Sequence, residues 1–192
     1  MADILDKIVA RKRQEVAEAK EKRPVQELEK LKLFNRKPLS LSQFLGDKRS
    51  TGIIAEFKRR SPSKGIINDQ VSVEEVVTGY ESAGASAISV LTDRDFFMGH
   101  ERDLLAARAA VKVPLLRKDF MVDEYQIIEA KAIGADIILL IAAVLSPQEV
   151  ARLGALARLL GLSVLLEVHN LDELQRSLHP SVDVVGVNNR NL

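Results

Sequence analysis

The feature of the sequence that most restricts its fold is an alternation, beginning after Gly52, of short apolar runs with longer amphipathic segments. Runs that are almost continuous in Ile, Val and Leu are typical of parallel strands buried on both faces. They occupy residues 53–57, 87–91, 113–116, 137–142, 164–168 and 182–187. Successive runs start at intervals of roughly 20 to 30 residues, close to one eighth of a typical barrel chain. We therefore predict six parallel strands.

Helix start and stop signals lie between these runs. Ser72 and Ser146 each precede a glutamate by three residues, which fits a capping box, and proline follows Ser146 at the first helical position. Asp123 and Asn170 are suitable N-caps for two further helices. Three helices are expected to end at a glycine in the left-handed conformation: Gly84, Gly134 and Gly161. The chain is therefore predicted to be a βα-repeat protein.

Two architectures fit such a repeat, an open doubly wound sheet and a (βα)8 barrel. The first βα turn lacks the G-x-G-x-x-G phosphate loop, which disfavours the nucleotide-binding form of the open sheet. Polar residues at the carboxyl ends of several strands favour the barrel, because barrel active sites collect there. We predict an α/β fold of the (βα)8 TIM-barrel type that lacks the last two βα units. Its two outer strands would each leave an unpaired edge.

The first 50 residues have a different pattern and are predicted to form a helical extension. Apolar residues recur there at helical spacing, with charged residues opposite: Ile4, Leu5, Ile8 and Val9. Lys12 and its neighbours are expected to form a solvated face of this first helix. The predicted organisation is an N-terminal helical extension over residues 1–50 and a partial barrel over residues 51–192.

Composition excludes several classes of protein. A net charge of +1 argues against a general nucleic-acid binder. The chain has no cysteine, and its three histidines show no metal-ligand spacing, so we expect neither a metal nor another cofactor. No run approaches the roughly 20 apolar residues that cross a bilayer, and charged residues interrupt the N-terminus where a signal peptide would be apolar. We expect a cytoplasmic protein without a membrane partner.

The first apolar run leads into a cationic loop. Because alternate residues of a strand face the same side, Glu56 and Lys58 should project together where the strand ends. The following loop combines arginine and lysine side chains with the small hydroxyl residues Ser61 and Ser63. Cations, hydroxyls and backbone N–H groups at such a turn suit a phosphate or carboxylate. A solvated basic loop without a ligand is the competing interpretation.

Three further strand ends carry polar groups. Lys118 and Phe120 share a face at the end of the third run, Glu167 closes the fifth, and Asn188 and Arg190 follow the sixth. Any one of these residues could be a structural ion pair or a solvated strand end. A barrel would direct all four strand ends to one mouth, which favours an active site.

Five stretches resemble motifs of the indole-3-glycerol phosphate synthase family of tryptophan biosynthesis. They are EFKRRSPSKG (56–65), LTDRDFFMG (91–99), LRKDF (116–120), LEVH (166–169) and VNNRNL (187–192). The first and third are specific in combination. The resemblance extends from about residue 3 to residue 192, and the helical N-terminal extension also fits that family.

The resemblance implies the decarboxylating ring closure of 1-(2-carboxyphenylamino)-1-deoxyribulose 5-phosphate to indole-3-glycerol phosphate, carbon dioxide and water, without a cofactor. In this interpretation Lys118 matches the general acid that protonates the ketone and its departing hydroxyl. Glu167 matches the group that removes a proton as the ring becomes aromatic. Lys58 matches the lysine that holds the anionic groups of the substrate. Arg117 is expected to lie beside Lys118 and add to the cationic mouth.

The resemblance also implies the remaining site residues. Glu56 and Asn188 match residues that orient the catalytic groups and the ribulose hydroxyls, and Arg190 matches a supporting arginine. Phe97 and Phe120 would form walls for the anthranilate ring. The phosphorylated substrate is the expected small-molecule partner.

Two other interpretations remain open at this point. One is a different phosphate-binding (βα)8 enzyme, such as phosphoribosylanthranilate isomerase. The other is a non-catalytic truncated barrel fragment that self-associates through its open edges or pairs with a complementary C-terminal piece. In the family, loops after strands seven and eight complete the phosphate site, so the chain as given is expected to be inactive alone.

Overall fold

The structure is a computed structural model that describes residues 4–189. The helices in this range are α1 (Ile4–Lys22), α2 (Val25–Leu28), α3 (Leu41–Leu45), α4 (Val73–Ser82), α5 (Glu101–Ala110), α6 (Glu124–Ala132), α7 (Pro147–Leu159) and α8 (Leu171–Ser177). The strands are β1 (Ile54–Phe57), β2 (Arg60–Ser61), β3 (Gly65–Ile66), β4 (Ala87–Leu91), β5 (Leu115–Lys118), β6 (Ile137–Ile141), β7 (Ser163–Val168) and β8 (Val184–Val187).

Six of these strands form one parallel sheet in the order β1-β4-β5-β6-β7-β8. Each strand therefore lies beside the next sheet strand along the chain, and a helix connects every neighbouring pair. This sequential parallel order is that of a (βα)8 TIM barrel, of which the described residues supply six strands. The predicted fold class and all six predicted strands are confirmed.

The strand residues alternate between two apolar clusters. Ile88 and Val90 belong to the layer between the sheet and the helices, whereas Ala87 and Leu91 belong to the cluster on the inner face. Both faces of the central strands are buried, which explains the continuous Ile, Val and Leu runs. The apolar face of α1 and that of α3 contribute Ile8 and Leu41, both fully buried, to the inner cluster.

The N-terminal segment is also fixed to the amino ends of the strands by one buried carboxylate. Asp136, at 0% exposure, accepts hydrogen bonds from Arg36 and the Leu39 backbone N–H, both at 2.7 Å. Its other oxygen accepts from Arg108 and the Leu115 backbone N–H, both at 2.8 Å. A single side chain thereby joins the segment before α3 to α5 and β5.

The predicted N-caps and glycine turns are confirmed, but the capping box predicted at Ser72 is incomplete, because the Glu75 side chain does not bond back to the Ser72 N–H. Ser72, Asp123, Ser146 and Asn170 each accept a backbone N–H at the start of their helix, and the boxes at Asp123 and Ser146 are complete. The three predicted glycines have positive φ angles of 88°, 93° and 77°: Gly84, Gly134 and Gly161. These local signals set where each helix ends and the next strand begins.

Two sequence-based expectations about the fold need correction, and one pair of strands was missed. Lys12 does not lie on a solvated face, because its ammonium group, 4% exposed, is enclosed by carboxylates from strand ends. The third strand begins at Leu115 rather than at residue 113, since the Val113 N–H bonds to the Glu81 side chain instead of the sheet. The short antiparallel pair β2–β3 was not predicted.

No helix within residues 4–189 is long and apolar enough to cross a membrane. The same range contains no group of three His, Asp or Glu side chains arranged to hold a metal ion.

Candidate active site

A cavity of about 370 Å³ opens at the carboxyl ends of the parallel strands. Its polar lining brings together most of the candidate residues that the sequence indicated: Glu56, Lys58, Ser61, Lys118, Glu167 and Asn188. Its apolar lining comes from the inner face of the sheet, from α1 and from the loops after β4 and β5: Leu5, Leu91, Phe97, Phe120, Leu139 and Ile141. Such a cavity, apolar with a few convergent polar groups, is typical of a small-molecule site.

At the end of β1, Glu56 and Lys58 project together as strand alternation requires. The Lys58 ammonium donates to Glu56 Oε1 at 2.5 Å, and Ser89 Oγ on the neighbouring strand β4 donates to Glu56 Oε2 at 3.4 Å. Both charged side chains remain about a third exposed, at 31% and 30%. Lys58 is therefore oriented by Glu56 and still accessible to an anionic ligand.

The second lysine–carboxylate pair lies between β5 and β7. Lys118 Nζ donates to Glu167 Oε2 at 2.9 Å, and Asn188 Nδ2, just after β8, donates to Glu167 Oε1 at 3.0 Å. Each oxygen of the carboxylate thus has its own donor. The Lys118 and Glu167 side chains are 27% and 14% exposed, so solvent reaches the pair only from the cavity side.

The protonation state of Glu167 follows from this arrangement. Burial would raise the pKa of Glu167, but the charge and hydrogen bond of Lys118 act against it, aided by the Asn188 amide and by His169. The balance leaves the pKa of Glu167 below its ordinary value. The carboxylate is therefore ionised at neutral pH and able to accept a proton.

Two aromatic rings form one wall of the cavity. Phe97, 8% exposed, and Phe120, 6% exposed, lie with ring centroids 6.1 Å apart and planes tilted by 39°. The loop that carries Phe97 is tight: Met98 has a φ of 54°, and a Cβ on Gly99 would lie 2.3 Å from the Leu91 carbonyl oxygen. Only glycine fits at position 99 without movement of the backbone.

The loop after β1 closes one side of the cavity. Ser61 is 8% exposed, and its hydroxyl accepts a hydrogen bond from the Lys64 N–H, which stabilises the turn between β2 and β3. Arg59 makes two hydrogen bonds to Asp103 on α5, at 2.6 and 3.1 Å, and stacks over the Phe57 ring. Arg190, the remaining candidate, lies outside the described residues.

One expectation about the cationic mouth is wrong. Arg117 precedes Lys118 in the strand and therefore points to the opposite face, where it pairs with Glu129 on α6 at 2.7 Å. It is 4% exposed and lies outside the cavity lining. Among residues 4–189, the cations that line the cavity are Lys58 and Lys118.

Sequence reasoning missed some of the cavity residues. Leu5 reaches the cavity from α1, and the apolar stripe of that helix was the only signal for it. Asp119 and His169 also line the cavity. Both lie in stretches that resemble the family motifs, but neither was predicted as a site residue.

Enzymes of the (βα)8-barrel class collect their catalytic side chains at the carboxyl ends of the strands, and the candidate residues of this chain line a cavity at the same place. An acid and a base held together at this position can transfer protons to and from a small-molecule substrate. The sequence profile of the indole-3-glycerol phosphate synthase family matches residues 5–192. The chain belongs to the indole-3-glycerol phosphate synthase family.

Individual relatives agree with this assignment. An indole-3-glycerol phosphate synthase of Bacteroides thetaiotaomicron is 48% identical over 193 aligned positions, which cover 100% of this chain and 73% of the relative. The family comprises carboxy-lyases of tryptophan biosynthesis that act on a small phosphorylated substrate.

Solved structures give weaker similarities. The carboxyl transferase domain of Rhizobium etli pyruvate carboxylase has a TM-score of 0.46 at 15% identity, covering 70% of this chain and 27% of that one. A fusion protein of a xylose isomerase-like TIM barrel and 4-hydroxyphenylpyruvate dioxygenase has a TM-score of 0.38 at 16% identity, covering 60% and 24%. Neither similarity is close enough to bear on function.

Proposed function

We propose that the cavity catalyses the reaction of its family, the ring closure of 1-(2-carboxyphenylamino)-1-deoxyribulose 5-phosphate to indole-3-glycerol phosphate. The observation that carries the proposal is the Lys118–Glu167 pair, at 2.9 Å, in a cavity walled by Phe97 and Phe120. An aromatic ring with a carboxylate fits between a phenylalanine wall and two lysines.

The proton transfers follow from the chemistry of the substrate. The ring carbon that bears the carboxylate attacks the ketone carbon, and Lys118 gives a proton to the ketone oxygen as the carbon–carbon bond forms. Carbon dioxide then leaves and restores the aromatic ring. Lys118 regains a proton from solvent and gives it to the departing hydroxyl, which leaves as water. Glu167 takes a proton from the substrate as the indole forms and then releases it to solvent. The reaction needs both an acid and a base, and the lowered pKa of Glu167 keeps its carboxylate ionised, as a base must be.

The remaining candidates are assigned to binding and orientation. Lys58, held by Glu56, meets an anionic group of the substrate at the mouth of the cavity. Asn188 orients the Glu167 carboxylate and can also face a ribulose hydroxyl. Ser61 is proposed to contact the substrate from the β2–β3 turn, and Arg190 to support the site. We propose no cofactor, because the proton transfers need none.

The reaction assignment is tested by product identity. Because the chain spans 73% of the Bacteroides relative, the assay is run on the 192-residue chain and on a chimera that appends the remaining part of that relative. Indole fluorescence and carbon dioxide release from the carboxyphenylamino substrate support the proposal. Isomerisation of phosphoribosylanthranilate without indole formation would refute the proposal and show that the protein is an isomerase instead. The 192-residue chain alone is still predicted to show no detectable turnover.

A second candidate function rests on the two outer strands. Among residues 4–189, β1 pairs only with β4 and β8 pairs only with β7. Apolar side chains beside these edges are exposed, Ile53 at 58% and Val187 at 67%. Exposed strand edges are templates for pairing with another chain, so we propose that the 192-residue chain self-associates through them. Analytical ultracentrifugation showing a monodisperse monomer at high concentration would refute this.

The remaining proposals concern context. We propose a cytoplasmic protein without a nucleic-acid partner, in keeping with its net charge of +1. We also propose that residues 1–50 act as an extension of the partial barrel at 51–192 rather than as a separate domain. The contacts of Asp136 with Arg36 and Leu39 support this organisation.

A further inference from the structure

The buried ammonium group of Lys12 joins α1 to two strand ends. Its Nζ lies 2.9 Å from Asp93 after β4 and 2.9 Å from Asp119 after β5, and 2.7 Å from Glu15 on its own helix. The side chain is 4% exposed, and the two aspartates are 1% and 2% exposed. A lysine buried this deeply is kept charged only by such partners, and they hold the pKa of Lys12 above its ordinary value in spite of burial.

Each of the two aspartates also fixes the loop that carries one ring of the cavity wall. Asp93 Oδ1 accepts the Phe96 N–H at 2.9 Å, and its carbonyl accepts the Gly99 N–H at 2.7 Å, so that it holds both sides of Phe97. Asp119 Oδ1 accepts the Phe120 N–H at 2.9 Å. Lys12 therefore connects the backbone supports of both rings.

Other groups also hold Asp119, and one of them, Thr92, is the residue after β4 that precedes Asp93, but none of them reaches the Asp93 carboxylate as Lys12 does. Asp119 Oδ2 accepts the Thr92 hydroxyl at 2.6 Å, and Arg117 approaches the same oxygen at 3.4 Å. These contacts fix Asp119 relative to its own strand and to β4. Among the described residues, Lys12 is the cation within ion-pair distance of both Asp93 and Asp119.

We propose that Lys12 is a positioning residue that sets the spacing of the Phe97 and Phe120 rings by holding Asp93 and Asp119 together. Without the ammonium group, the two carboxylates repel each other and the loops after β4 and β5 move apart. The ring pair at 6.1 Å then opens. The consequence for binding an aromatic carboxylate rests on the proposed function, whereas the ring spacing itself does not.

The test compares Lys12→Met with Lys20→Met in the 192-residue chain. Methionine keeps much of the apolar stem and removes the charge in both variants. Lys20 lies on the same helix and also pairs with the barrel, through Asp123 at 2.8 Å, but this pair is exposed and holds the N-cap of α6 at the far end of the loop after β5, not the backbone beside either ring. The readout is the nuclear Overhauser contact between the two phenylalanine rings in protein with labelled Phe, assigned with Phe97→Leu and Phe120→Leu.

We expect Lys12→Met to lose the ring–ring contact while Lys20→Met keeps it. Unchanged contact in a folded Lys12→Met protein would overturn the proposal, because a purely structural tie would not move the rings. If Lys12→Met does not fold, the double variant Lys12→Met/Asp93→Asn removes one buried carboxylate together with the cation. We expect this variant to fold and to lose the contact too. Retained contact, or failure of both variants to fold, counts against the proposal.

A second readout separates this proposal from the proposed function. Anthranilate, which carries the aromatic carboxylate of the substrate, should bind Lys12→Met about tenfold more weakly than the wild type, as expected for losing one side of an aromatic wall. Absence of anthranilate binding in the wild type would count against the proposed function and leave the ring contact to decide on Lys12. If anthranilate binds the wild type and Lys12→Met equally although the ring pair has opened, Lys12 sets the ring spacing but does not affect anthranilate binding.

Discussion

Asp136 offers a quantitative test of how the N-terminal segment is attached. Its carboxylate is fully buried and accepts four hydrogen bonds, two of them from the guanidinium groups of Arg36 and Arg108. Asp136→Asn keeps the shape of the side chain but replaces one of its two accepting oxygens by an NH2 group. Two N–H donors then face this NH2 group instead of an acceptor. It also leaves two partly or fully buried arginines without their anion.

The expected loss is large because one partner of a buried ion pair is removed. Such changes typically cost about 3–5 kcal/mol, against a total stability of about 5–15 kcal/mol for a single domain. At an m-value of about 2 kcal/mol/M in urea, the unfolding midpoint should fall by about 2 M. Asp47→Asn is the matched control, because Asp47 also pairs with an arginine, Arg49, but on the surface. It should leave the midpoint unchanged.

Urea unfolding is followed by far-UV circular dichroism and by tyrosine fluorescence. Tyr125 on α6 donates a hydrogen bond to the Arg23 carbonyl just after α1. All proteins carry Tyr80→Phe, which leaves Tyr125 as the one tyrosine of the sequence, so the emission reports on the docking of the N-terminal segment. We expect one transition seen by both signals in the wild type. A loss below about 1 kcal/mol, the range of exposed pairs, or separate transitions for the two signals would refute the integrated extension.

Two further predictions concern the site. Lys118→Met should raise the pKa of Glu167, because burial then dominates; carboxyl 13C NMR titration measures this, and an unshifted titration would contradict the ion pair. Since the wild-type pKa of Glu167 is depressed, the carboxylate stabilises the fold above the ordinary glutamate pKa, and this contribution is lost as pH falls. The loss of stability caused by Lys118→Met should therefore be largest at neutral pH and shrink in acid. Gly99→Ala should destabilise the chain and shift the Phe97 loop, since its Cβ would lie 2.3 Å from the Leu91 carbonyl oxygen; an unchanged urea midpoint would show that the loop adapts.

The sheet could be predicted from the sequence because its signals are local. Continuous apolar runs mark strands buried on both faces, and Gly134 or Ser146 mark helix ends through backbone chemistry that neighbouring residues determine. Strand alternation also placed Glu56 beside Lys58. The convergence of four strand ends on one cavity followed from the parallel order of the barrel.

The error at Lys12 concerns contacts between residues far apart in the chain, whereas the error at Arg117 is local. Lys12 lies on the polar side of α1, and nothing nearby in sequence shows that Asp93 and Asp119 will enclose it. Arg117 was placed in the mouth because it adjoins Lys118, although strict alternation sends it to the helix layer and Glu129. Helical periodicity alone does not distinguish a solvated polar face from one that packs on buried charges.

The central claim is that Lys118 and Glu167 act together as acid and base in indole-3-glycerol phosphate formation. Its most direct test is kcat/KM, followed by indole fluorescence, for Lys118→Met, Glu167→Gln and the double variant in the chimera with the Bacteroides relative. Lys22→Met, 77% exposed on α1, is the control. We expect a loss of about 10²–10⁴-fold for each single variant, little further loss in the double variant, and an unchanged control. Wild-type turnover in either single variant would contradict it.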